Sequence, residues 1–72
     1  MKLKQLREKK GLQRKFVAEQ LNISADHLNL LERGKSQLNL IKIDKLSRIY
    51  KIPFGEMAEI AFTTYKEGNN VR

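Results

Sequence analysis

Cysteine is absent from the 72 residues. Disulfides and thiolate metal sites are therefore excluded, packing alone must hold the fold, and nothing calls for an oxidising compartment. Histidine occurs once, at His27, with no second histidine or cysteine to complete a metal site or a nucleophilic triad. No run approaches the ~18 apolar residues of a membrane span. The opening Met1-Lys2-Leu3-Lys4 is charged and lacks the apolar segment of a signal peptide, so a cytoplasmic protein with no membrane partner is expected. The four glycines, at 11, 34, 55 and 68, are scattered and form no phosphate-cradling loop. Glu56 and Glu59 stand three apart but have no candidate base or cleft beside them, which reads as a solvated helix face. Catalysis and cofactors are not expected. A chain this short makes one domain that buries roughly 60% of its unfolded surface. It leaves no room for a second, effector-sensing domain, so no small-molecule effector is expected.

What the chain does hold is positive charge, with fifteen Lys/Arg against eight Asp/Glu, or +7, and a pI near 10. That charge is uneven. Residues 1–35 carry nine Lys/Arg against four Asp/Glu, residues 36–53 four against one, and residues 54–72 two against three. A basic body with a near-neutral C-terminal end suits a polyanion at one face and a protein contact at the other. Mere solvation of a small domain is the alternative that charge alone leaves open.

Apolar spacing predicts five short helices with little linker. Lys2 to Lys10 has Leu3 and Leu6 inward and ends at Gly11, with Leu12 packing just past the cap. Arg14 to Leu21 places Val17, Ala18 and Leu21 on one face. Asn22 tolerates the left-handed turn that ends this helix, and Ser24 can cap the next, in which Leu28 and Leu31 mark the buried stripe. Ala18 is small enough for the two helices to cross closely, as in a helix-turn-helix. The third helix, Ala25 to Arg33, ends at Gly34. Asn39 is a candidate N-cap for a fourth, Leu40 to Tyr50, with Leu40, Ile43, Leu46 and Ile49 or Tyr50 inward. Lys51-Ile52-Pro53 breaks it. A fifth runs from Phe54 to about Tyr65, with Phe54, Met57, Ile60, Ala61 and Tyr65 available for burial. A single domain over 1–66 and a flexible tail over 67–72 are expected.

These segments, Leu3 to Leu12, Val17 to Ser24, Leu28 to Lys35 with Glu32-Arg33-Gly34-Lys35, and Leu46 to Met57, together resemble the lambda-repressor-like (Cro/XRE-type) helix-turn-helix family over about residues 3–57. The resemblance implies an all-α, five-helix bundle, DNA binding through the third helix, a two-fold dimer, and an ion pair between Arg7 and Glu32. It also implies base contacts from Ser24, Ala25, Asp26 and Leu30, with Asn29 near the edge. Arg33 is better placed for phosphate. Ala25 and Leu30 would favour thymine methyl groups and Asp26 the cytosine amino group, although Asp26 can equally serve as a charge at the helix start.

The chain departs from the family at Gln13-Arg14-Lys15, where Ser/Thr followed by Gln is common; phosphate contact can survive the change. Lys35, Lys42 and His27 complete the expected phosphate contacts. Phe16 stands where the family is polar and suits either the edge of the core over the first helix or a partner or backbone contact. Leu38, where proline is frequent, suits loop packing or an interface. Ile41, Ile52, Phe62 and Tyr65 exceed what the core needs and form the expected dimer interface. The expected function is sequence-specific DNA binding by a homodimeric regulator, a repressor, on a double-stranded operator. A helix-turn-helix used for protein interaction (antitoxin-like or an adaptor) and charge-driven, non-specific nucleic-acid binding are the other readings.

Overall fold

Left-handed residues punctuate this chain. The computed structural model describes residues 1–68 and forms α1 (Leu3–Lys9), α2 (Arg14–Leu21), α3 (Ala25–Glu32), α4 (Leu40–Tyr50) and α5 (Phe54–Gly68), with no strand among the described residues. After each of the first four helices one residue takes a positive φ: Gly11 (72°), Asn22 (61°), Gly34 (75°) and Lys51 (58°). Such a residue reverses the chain while the next amides reach back to the helix's orphan carbonyls. Ile23 N–H donates to the Ala18 carbonyl at 3.0 Å and Asn22 N–H to that of Glu19 at 3.1 Å. The corner between α2 and α3 is thus three residues long, and it closes on Ser24, whose Oγ accepts the His27 N–H at 3.0 Å. Asn39 starts α4 in the same way, its Oδ1 accepting the Lys42 N–H at 2.8 Å.

All five helices contribute to one core. Val17, Ala18 and Leu21 of α2 and Leu28 and Leu31 of α3 are buried, together with Leu3 and Leu6, Ile43, Leu46 and Tyr50, and Met57, Ile60 and Ala61. Complete burial of a leucine-sized side chain contributes about 1.5–3 kcal/mol. Helix α2 packs on both α3 and α4, while α5 covers α4 and reaches α1. The ends of the described chain meet there: the Leu3 N–H donates to the buried Thr64 Oγ1 at 2.9 Å, and that hydroxyl donates to the Ile60 carbonyl at 2.8 Å. An orphan amide of the first turn of α1 is satisfied by the last helix.

The structure corrects the sequence expectations at the ends of helices. Leu40 is 71% exposed, because the first turn of α4 projects past the core before the inward stripe begins at Ile43. Phe54, at the start of α5, and Phe16, on the outer side of α2, are likewise exposed. Ile52 is half-buried and packs against the core, which removes much of it from any dimer surface. The domain does not stop at residue 66, since α5 continues through Glu67 and Gly68. There Lys2 Nζ pairs with Glu67 at 3.0 Å, and the backbones of Gly34 and Gly68 approach so closely that a Cβ on either would strike the other's backbone. The remainder of the expected tail, 69–72, lies outside the described residues.

Candidate nucleic-acid interface

The core fixes which side of α3 meets solvent. Leu28, Leu31 and Glu32 point inward, so Ala25, Asp26, Leu30 and the capping Arg33 are exposed on the opposite side, with Asn29 and His27 half-buried at its margins. Leu30, at 43% exposure, is a large apolar side chain held out in water. Ser24 is exposed, but its oxygen already serves as the acceptor for the first turn.

The start of α2 reaches the C-terminal end of α3, and its N-cap Gln13 makes no side-chain capping bond. Lys15 is exposed and Arg14 half-buried. Arg14 is also engaged within the fold, its Nε donating to Glu32 Oε1 at 3.3 Å while its side chain stays 34% exposed. That carboxylate is the hub of a buried network. Arg7 Nε donates to Glu32 Oε2 at 2.7 Å and its Nη2 to Oε1 at 3.3 Å, while Nη1 donates to the Leu12 carbonyl at 3.0 Å. The two side chains of the central pair are 9% and 2% exposed, so the fork joins α1 to the end of α3 out of reach of water. Hydrogen bonding to Glu32 raises the Arg7 pKa above its ordinary value, against the opposing pull of burial. Burial, reinforced by the Glu32 charge, likewise raises the Tyr50 phenol. One carboxylate facing two guanidinium groups leaves a net positive charge where the start of α2 meets the C-terminal end of α3.

Two other expected phosphate contacts lie on the loop after α3 and on α4. Lys35 is exposed, yet its Nζ donates to the Gly68 carbonyl at 2.8 Å, tying the loop after α3 to the end of α5. Lys42 is half-buried in the first turn of α4, beside the exposed Leu40 and Ile41. Of the expected dimer residues, Ile41 and Phe62 are 68% and 64% exposed and Tyr65 is half-buried. Phe62 and Tyr65 border an open groove of about 330 Å³ with Leu38, Ile43 and Ala58. Leu38 therefore packs in its loop and also lines a surface.

Several contacts escaped the sequence reading. Arg14 on Glu32, Thr64 under the first turn of α1, and Gly34 against Gly68 join residues 18, 61 and 34 positions apart, and none belongs to a helical spacing.

A helix-turn-helix family model matches residues 3–57. The chain belongs to the Cro/C1-type, lambda-repressor-like helix-turn-helix family. The all-helical architecture of the described residues is the fold of that family, and the domain is a DNA-binding regulator. The family is one of regulators that are typically not enzymes. No curated protein and no solved structure matches the chain significantly. Among the described residues no helix is long and apolar enough to cross a membrane.

Proposed function

We propose that this helix-turn-helix protein is a transcriptional repressor that binds a palindromic operator as a homodimer, with α3 of each subunit in the major groove. The observation that carries the reading is the exposed side of α3, together with the uncapped, positively charged start of α2 that meets the end of the same helix. Ser24, Ala25, Asp26, Asn29 and Leu30 then face base edges, and Gln13, Arg14, Lys15, His27, Arg33, Lys35 and Lys42 hold phosphates on either side. The exposed Ile41 and Phe62, with Tyr65 beside the groove, supply apolar surface for the second subunit. Two recognition helices related by a two-fold axis require half-sites about 10 base pairs apart, centre to centre. A dimer seated over a promoter excludes polymerase.

The test is selection of bound fragments from random and genomic DNA, followed by titration at two salt concentrations. Specific binding keeps a large preference over random sequence as salt rises, whereas charge-driven binding weakens for all sequences alike. The selected site should be an inverted repeat, and a reporter promoter carrying it should fall silent when the protein is expressed. Ile41→Glu with Phe62→Glu should sediment as a monomer and bind the repeat weakly. Equal affinity for random DNA, or a persistent dimer, would overturn the corresponding part of the reading.

A further inference from the structure

The exposed side of α3 is poor in hydrogen-bond donors. Reading guanine in the major groove takes a bidentate donor such as Arg or Lys, and reading adenine takes Asn or Gln. Between Ser24 and Leu30 no Arg or Lys occurs, the only amide is the half-buried Asn29, and His27 is also half-buried. The Ser24 hydroxyl accepts the His27 N–H and has a single O–H to donate, which cannot make a bidentate contact to a purine edge. Arg33 is exposed but stands at the far end of the helix, as its C-cap. The exposed residues of the two turns of α3 are Ala25, Asp26 and Leu30: a methyl group, a carboxylate and a branched aliphatic chain.

Resting on the reading of α3 as the major-groove helix, we infer that this protein recognises its site through pyrimidine substituents, with Leu30 the main specificity determinant, packing on a thymine C5-methyl group. The physical reason lies in what each group can exchange. The major-groove edge of thymine presents a methyl beside an acceptor, while cytosine presents an amino donor. Leu30 gains only by covering apolar surface and Asp26 only by accepting a hydrogen bond. A guanine or adenine edge opposite Leu30 would lose water from its acceptor nitrogen without a replacement. Leu30 is 43% exposed and stands outside the buried core, and its backbone carbonyl accepts the Lys35 N–H at 2.9 Å. Its side chain can be shortened without touching that bond.

The test uses the full chain and the half-site obtained by selection. Each thymine is replaced in turn by deoxyuridine, which removes one methyl group and leaves pairing intact, and affinities are read by fluorescence anisotropy. At one position in each half-site the loss should be about fourfold, the worth of one buried methyl-sized group. Leu30→Ala should bind the parent site more weakly and be indifferent to deoxyuridine at that position, because the partner of the methyl is gone. If every deoxyuridine site binds like the parent, or if Leu30→Ala leaves the penalty in place, the inference is overturned while specific binding stands. If selection returns no preferred sequence, the reading of α3 as a base reader falls, and this inference with it.

Discussion

Glu32→Gln is the most informative single perturbation of this fold. The change keeps the size of the side chain and one carbonyl acceptor but removes the charge that the Arg7 guanidinium meets at 2.7 Å. Arg7 cannot simply turn to water, since its side chain is 9% exposed and its Nη1 is bound to the Leu12 carbonyl at 3.0 Å. Arg14 can, being 34% exposed, so the loss falls on Arg7. Removing one partner of a buried pair costs about 3–5 kcal/mol. A domain of this length has a total stability of about 4–11 kcal/mol. At about 4–8 °C per kcal/mol for so small a domain, the melting temperature should drop by about 12–40 °C. Thermal and urea unfolding followed by circular dichroism measure it. The companion variant, Arg7→Met with Glu32→Leu, should recover much of the loss, because a neutral apolar pair leaves no buried charge unpaired. A Glu32→Gln protein within about 1 kcal/mol of the parent would refute the argument. So would a double variant less stable than Glu32→Gln alone.

Other outcomes follow from the same structure. Gly34→Ala combines a left-handed backbone at φ 75° with a Cβ that collides with the Thr64 carbonyl, and should lower stability by about 2–5 kcal/mol in urea. Lys51→Gly relieves a side chain from φ 58° and, after the entropy glycine loses on folding, should raise stability by about 0.5–1 kcal/mol in the same assay. Tyr50 has its pKa raised above 10.0 in the fold by burial and by Glu32. Its contribution is thus fully present below pH 10, where both states hold the proton, and is lost as pH climbs from there towards the folded pKa. Stability measured against pH should fall above 10 and fall less steeply in Tyr50→Phe; identical slopes would count against this cause.

Much of the fold was legible in the sequence because its signals are local. Asn22, Ser24, Gly34 and Asn39 each act within a few residues of themselves, and the stripes of α2 to α4 repeat at helical spacing. Legibility failed where the deciding partner is distant in sequence. Gly68 followed by two asparagines reads as a chain end, and only the opposing Gly34 makes it the last residue of a packed helix. Leu40 and Phe54 match the inward stripes, yet a first turn that overhangs the core leaves them in water, and no periodicity reports where a core ends. On the candidate interface, helical phase separates the outward Ala25, Asp26 and Leu30 from the inward Leu28 and Leu31. The engagement of Arg14 by Glu32 depends on a crossing of helices that spacing does not encode.

The bond between the Leu3 amide and Thr64 spans 61 residues, whereas the corner between α2 and α3 closes over three. The entropy lost in joining two points of a chain grows with the length between them. The motif that meets DNA can therefore assemble from neighbours, and the seam between α1 and α5 is the longest closure this domain must make. Once made, that seam ties the first and last turns into the same cooperative unit as the core. In native-state hydrogen exchange the Leu3 amide should open only with the whole domain, although Leu3 is the first residue of α1, directly after the N-cap Lys2, where fraying is the rule.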